Sequence, residues 1–244
     1  MPTCLIITEI IDKVEDSCGV CEPFICRCED GRVYYVKGKY AGYPDCIHEL
    51  VATMLGHMLN INIPNFALVT LPEETAAHDE MARRMIGDKA PAFGLQAVEN
   101  AMQFHCLGNG VTFGTQEERE DILFFDWWIQ NNDRTRDNPN LLVGADGRIH
   151  VIDHNQAFDN TDDLKTFIGS HVFGGSWGVF GFDRSRREPE LDRIMSSGWC
   201  EIASDIPDQW LEALSDADGI LKKMKSTLTR YKTEPKAFWT GEKP

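Results

Sequence analysis

The sequence predicts an α+β chain in two lobes: a small antiparallel sheet with one helix over residues 1–98, then a mostly helical part over residues 99–244. Three observations predict it. Strand-like runs at 5–11, 24–28 and 32–38 follow one another, and the tight-turn pair Asp30-Gly31 joins the last two. An amphipathic helix pattern comes next, at 47–59. Much later, an acidic-to-apolar helix at 117–129 delivers a polar loop and a hairpin.

The composition suits a globular protein of this size. Of 244 residues, 42% are hydrophobic and 10% aromatic, enough for a sizeable core. A formal net charge of -15 opposes binding to nucleic acid or to an anionic membrane surface, so no direct nucleic-acid contact is expected. The N-terminal residues have no basic stretch before their apolar run and do not read as a signal peptide. No apolar stretch approaches the ~20 residues of a membrane span, so no membrane insertion is expected. Eight cysteines without a signal peptide point to reduced thiols in the cytoplasm.

Taken in order, the third strand, RVYYVKG, is rich in β-branched and aromatic residues and ends at Lys37. A lysine there is either a solvated strand end or a contact to nucleotide phosphates. In the helix that follows, Ile47, Leu50, Val51, Met54, Leu55, Met58 and Leu59 keep helical spacing. Glu49 is placed in its first turn, where the helix dipole alone would explain a carboxylate. The functional reading pairs Glu49 with Lys37. FALVTL at 66–71 predicts a fourth strand, residues 77–85 a short helix, and residues 90–98 a link between lobes, in which Phe93 and Gly94 could line an adenine site, a core phenylalanine being the simpler reading of Phe93.

Cys18, Cys21, Cys26 and Cys28 could supply four thiolates to a zinc ion, although CxxC followed by CxC is an unusual spacing. Reduced core and loop thiols are the simpler reading.

The chemistry concentrates in NNDRTRDNPNLLVGADGRIHVIDHNQAF, residues 131–158. The preceding helix runs into the core. Trp127 and Trp128 read as packing residues, and Asp126 as a buried carboxylate that hydrogen-bonds the backbone of the next loop. Asp133 is followed five residues later by Asn138, and a hairpin then ends at Asp153. Any one of these is an ordinary turn residue. Together they provide what phosphoryl transfer needs: a group to orient a nucleophile, and oxygen ligands for magnesium.

NDRTRDNPNLLV followed by HVIDHNQAF resembles the HipA-like kinases, and more distantly the phosphatidylinositol kinases and the protein-kinase-like fold. YYVKGKYAGYPDCIHELVATMLGHMLNINIPNFALV extends the resemblance through residues 31–158. It implies a two-lobed kinase-like fold with ATP and Mg2+ as cofactors. Lys37 would contact the phosphates and Glu49 would pair with it. Asp133 would take or orient the proton of the acceptor hydroxyl, and Arg134 would support the loop or the transferred phosphate. Asn138 and Asp153 would bind magnesium. The implied acceptor is a protein serine or threonine. A small-molecule or lipid kinase, a nucleotidyl transferase, or a nucleotide-binding interaction module are the alternatives. The chain departs from the protein-kinase pattern in three places: Ser17-Cys18-Gly19 stands where a full GxGxxG would be, Asn131-Asn132 precedes Asp133, and His154-Asn155 follows Asp153.

The last third predicts a Gly- and aromatic-rich loop at 159–187, helices at 188–195, 207–214 and 216–231, and a loosely held tail at 233–244. Lys222, Lys223, Lys225 and Arg230 read as a solvated face.

Overall fold

Side-chain alternation sets the first strands. In the computed structural model, which describes residues 2–13, 23–87, 89–104, 113–159, 162–177 and 182–242, β1 (Cys4–Lys13) turns Leu5 and Ile7 inward. β2 (Phe24–Cys28) buries Phe24, Cys26 and Cys28, and β3 (Val33–Lys37) buries Tyr34 and Val36. β4 (Phe66–Thr70) and β5 (Ala92–Gln96) complete a closed barrel of order β1-β2-β3-β5-β4. The antiparallel pairing expected for the small sheet is present, and the sheet in addition closes on itself. β1 and β4 close the barrel through a parallel contact, Cys4↔Leu68 to Ile6↔Thr70. Residues 90–98, read as a link, contain a strand paired on both sides.

The first helix, α1, spans Tyr43–Met58 and starts four residues before its apolar pattern does. Gly42 (φ 92) is its N-cap and Pro44 lies in its first turn, where a missing N–H costs nothing. Asp45 is its first-turn acid. Glu49 sits a turn deeper, so the helix dipole does not account for it. The predicted helix at 77–85 is instead two, α2 (Glu73–His78) and α3 (Glu80–Met85). Asp79 separates them and caps α3, accepting from Ala82 N at 2.9 Å.

A short strand, β6 (Met102–Gln103), precedes α4 (Gln116–Ile129). A Thr115–Glu118 capping box starts α4. The hairpin β7 (Leu141–Val143) and β8 (Ile149–Val151) pairs with β6 in a three-stranded sheet. The predicted loop after it holds a helix, α5 (Leu164–Ser170), which Asp163 caps through Thr166 N. A π-helical turn (Ile194–Gly198) joins α6 (Arg184–Arg193) to α7 (Trp199–Ser204), followed by α8 (Asp208–Glu212), α9 (Ala217–Leu228), α10 (Arg230–Thr233) and α11 (Pro235–Thr240). The tail is not loosely held: α11 buries Phe238 and Trp239, and Trp127 Nε1 donates to Phe238 O at 3.0 Å.

Two apolar cores result. One fills the barrel around Ile7, Phe24, Val36 and Val69. The other joins α1 to α4, the hairpin and the later helices, with Trp127, Trp128 and Phe125 at its centre. Among the described residues no helix is long and apolar enough to cross a membrane.

Candidate active site

β3 ends where α1 and the hairpin exit converge. Lys37 Nζ donates to Glu49 Oε1 at 2.6 Å and to Asp153 Oδ1 at 2.8 Å. Glu49 Oε2 accepts from the backbone N of His154 at 2.9 Å. Burial works against all three charges. The two carboxylates outweigh it for Lys37, whose pKa is raised, and Lys37 with His154 outweigh it for Glu49, which is held well below the usual carboxylate range. Asp153 goes the other way: burial and the Glu49 charge together exceed the pull of Lys37. Asp153 also takes a left-handed backbone (φ 58), a strained conformation of the kind found at functional sites. Lys37 keeps its place because residue 38 is glycine, where a Cβ would overlap the backbone oxygen of Ile86.

α1 is latched to the hairpin exit by His154 and Asn155, the two residues after Asp153 that depart from the protein-kinase pattern. Asn155 Nδ2 donates to Asp45 Oδ2 at 3.4 Å, and His48 Nδ1 lies 3.0 Å from Asn155 O. His154 is buried edge-on to Phe125.

The catalytic-looking loop is held from below. Arg134 and Asp126 are both fully buried and meet at 2.7 Å (Nε to Oδ2). Arg134 Nη1 also donates to Asn140 O at 2.6 Å, Ile152 O at 3.1 Å and Pro139 O at 3.3 Å. Of the two roles expected for Arg134, its contacts serve support of the loop: the guanidinium is buried and spent on the loop and the hairpin, so it is a positioning residue and does not face the acceptor as a catalytic group. Asp126 is corrected: its carboxylate binds side chains, accepting from Asn131 Nδ2 (3.1 Å), Arg134 and His171 Nε2 (2.9 Å). His171 Nδ1 accepts from Phe173 N, which leaves Nε2 as the donor. Burial lowers the His171 pKa despite Asp126. Burial raises that of Asp126, but Arg134 and His171 more than offset it and hold it at about 2.

On this support Asp133 and Asn138 stand together. Asp133 Oδ2 accepts from Asn138 Nδ2 at 2.8 Å and from Asn140 Nδ2 at 2.9 Å. Because the nitrogen end of the Asn138 amide is held, its Oδ1 is left as a donor to a cation. That oxygen and the Asp153 carboxylate, each in its own hydrogen-bonded cluster, are two hard ligands that could hold a cation. Among the described residues no group of three His, Cys, Asp or Glu side chains gathers to hold a metal by itself. A sparse oxygen set of this kind suits magnesium, which takes one or two protein ligands and completes its shell from phosphates and water.

Tyr35, Phe93 and Leu95 from the barrel face Leu142 and Ile152 from the hairpin across a cavity of about 190 Å³, with Lys37, Glu49 and Asp153 at its charged end. Phe93 lines this cavity and is at the same time a buried core residue. Gly94 does not line it, since it turns into the barrel against Val69 and Tyr34.

The comparison with known families now decides the class. The model for "HipA-like kinase" matches residues 7–242. The chain belongs to the HipA-like kinase family. Among solved structures, the Helicobacter pylori proinflammatory kinase CtkA is similar at a TM-score of 0.52 and 12% identity, covering 96% of this chain and 94% of its own. At that identity the likeness shows a kinase-like fold. The open conformation of CtTel1 overlaps 96% of this chain and 12% of its own at 13% identity, with a TM-score of 0.35 that carries no argument. No curated protein matches the sequence.

This HipA-like kinase brings Lys37, Glu49 and Asp153 into one cluster and Asp133 with Asn138 into a second. A larger cavity of about 640 Å³ is lined by none of these residues. Lys222, Lys223 and Arg230, expected as a solvated face, line it with Asp162, Asp163 and Glu234, a mixed-charge set. Of the zinc candidates, Cys18 and Cys21 lie outside the described residues, as does Ser17-Cys18-Gly19. Cys26 and Cys28 face the barrel core, where burial pushes their thiols up to about 12 and about 11, against the thiolate form that zinc requires. Sequence reasoning missed Asn140, His154, Asn155 and His171. A polar residue at an otherwise apolar helix position, His48, was the available signal for the latch.

Proposed function

We propose that this kinase transfers the γ-phosphoryl group of ATP, with magnesium, to a serine or threonine hydroxyl of a protein. The observation that carries the reading is Lys37 Nζ bridging Glu49 and Asp153 at 2.6 and 2.8 Å. A buried cation suited to polyphosphate, a carboxylate suited to magnesium and an adjoining apolar cavity lined by Tyr35, Phe93, Leu95 and Leu142 support the reading. The nucleotide would lie between two lobes, residues 1–98 and 99–244, with its base between Tyr35, Leu95 and Leu142. Magnesium would supply charge neutralisation on the phosphates, held by Asn138 and Asp153.

The chain's own contribution is positioning and charge. Lys37 holds the phosphates, Asp133 orients the acceptor hydroxyl and takes its proton, and Arg134 keeps the loop from shifting. Arg136, Asp137 and Asn138 are exposed, so the acceptor side is open to another protein chain. That openness favours a protein acceptor over a small molecule enclosed in a pocket.

The test is transfer from γ-labelled ATP to protein fractions in magnesium. Asp133→Ala is expected to lower the rate by about 10²–10⁴, leaving nucleotide binding intact. Asp153→Ala is expected to abolish transfer and weaken magnesium-dependent nucleotide binding. Unchanged transfer in either variant would overturn the assignment.

A further inference from the structure

We infer that Asn140 is a positioning residue for the transfer step, holding one oxygen of Asp133 so that the other faces the acceptor. The inference rests on Asp133 being the group that takes the acceptor's proton. Two amides, Asn138 and Asn140, donate to the same oxygen, Oδ2, at 2.8 and 2.9 Å. Among the described residues no hydrogen bond reaches Oδ1. The carboxylate is thereby divided into a held oxygen and a free one.

The two amides are not equivalent. Asn138 is exposed and its other end is the cation ligand, so it answers to the nucleotide as well as to Asp133. Asn140 is half-buried and answers to the scaffold. Its carbonyl accepts from Arg134 Nη1 at 2.6 Å and from Ile152 N at 3.1 Å. Its backbone is left-handed, φ 47, a region that asparagine, aspartate and glycine enter more readily than other residues. Of these three, asparagine alone combines that backbone with an N–H to donate. Glycine lacks the side chain, and aspartate would set a carboxylate against Asp133.

In the step itself, the acceptor oxygen bonds to the γ-phosphorus as the bond to the bridging oxygen breaks. ADP leaves with that electron pair, and the hydroxyl proton passes to Asp133 Oδ1. A carboxylate free to rotate would present the proton acceptor in the wrong direction for much of the time.

The test compares Asn140→Gly, which keeps the backbone conformation and removes the amide, with Asn140→Asp. Asn140→Gly is expected to lower kcat by about 10- to 100-fold, with KM for ATP and the nucleotide dissociation constant within about twofold of wild type. Asn140→Asp is expected to lose more. In a nucleotide-free crystal structure of Asn140→Gly, the Asp133 carboxylate is expected to leave its wild-type position or to split between rotamers. An unchanged kcat, a loss of nucleotide affinity and melting temperature in step with kcat, or an Asp133 that stays in place would each overturn the inference. If the wild-type protein transfers no phosphoryl group, the proposed function fails, while the crystallographic comparison still judges Asn140.

Discussion

Lys37 Nζ and Asp153 Oδ1 lie 2.8 Å apart although 116 positions separate them in the chain. The pair ties the last residue of a barrel strand to the exit of the hairpin, and Glu49 completes it from α1. A cation shared by two carboxylates is satisfied in the folded protein without any ligand, so the charged end of the cavity is already formed in the protein alone.

Lys37→Met is expected to abolish transfer and to cost about 3–5 kcal/mol of stability, because Glu49, only 2% exposed, loses its cation. Adding Glu49→Gln, which keeps an acceptor for His154 N, should restore much of the stability and none of the activity. Denaturant unfolding and a transfer assay on both variants check this.

Stability is expected to fall with acid in two stages. Glu49 and Asp126 have lowered pKa values in the fold, so the unfolded chain binds more protons at low pH. Their contribution is complete above about pH 5 and is lost as pH falls through the folded values. For Asp126, held at about 2, the contribution is about 2–3 kcal/mol. His171 is also lowered from 6.5, so an earlier loss sets in as pH falls through that value. Melting temperature measured from pH 8 to 3 should show both stages, and His171→Gln should remove the first.

Arg134→Lys keeps the charge and loses the fork. A single ammonium cannot serve Asp126 and the carbonyls of Pro139, Asn140 and Ile152 at once. A loss of about 2–4 kcal/mol is expected, with reduced transfer because the loop carrying Asp133 loosens. Denaturant titration measures the first and a transfer assay the second.

Gly38→Ala should force β3 away from Ile86, at a cost of about 1–3 kcal/mol. The displaced neighbour is Lys37, so nucleotide affinity is expected to fall as well. Calorimetric titration with a non-hydrolysable ATP analogue tests whether it does.

Thiol reagents should separate the described cysteines by burial. Cys4 and Cys200 are exposed and are expected to react in the native protein, whereas Cys26, Cys28 and Cys46 are buried and should react only on unfolding. Mass mapping after a short alkylation distinguishes the two groups.

The site was legible in the sequence to the extent that it depends on order and local pattern. Lys37 closes an alternating strand, and Asp133, Asn138 and Asp153 frame a hairpin whose turn is written in GADG. Glu49 was found by its order after Lys37, and the pair forms at 2.6 Å; what fails is the alternative dipole explanation, because α1 starts at Tyr43 and a proline in the first turn does not show in apolar spacing. What stayed hidden depends on distant partners. His171 is 45 residues from the carboxylate it binds, and Asn140 looked like one more turn residue in NPN. The barrel was hidden for the same reason, since nothing within β1 indicates that β4 will close it.

That closure has a consequence for synthesis on the ribosome. β1 is made long before one of its neighbours, since Leu68 to Thr70 follow more than sixty residues later. β1 can pair with β2 as soon as that strand is made, whereas its edge facing β4 has no native partner until residues 66–70 follow. During that interval it presents an unpaired, partly apolar edge to other nascent chains, a hazard the finished molecule no longer carries.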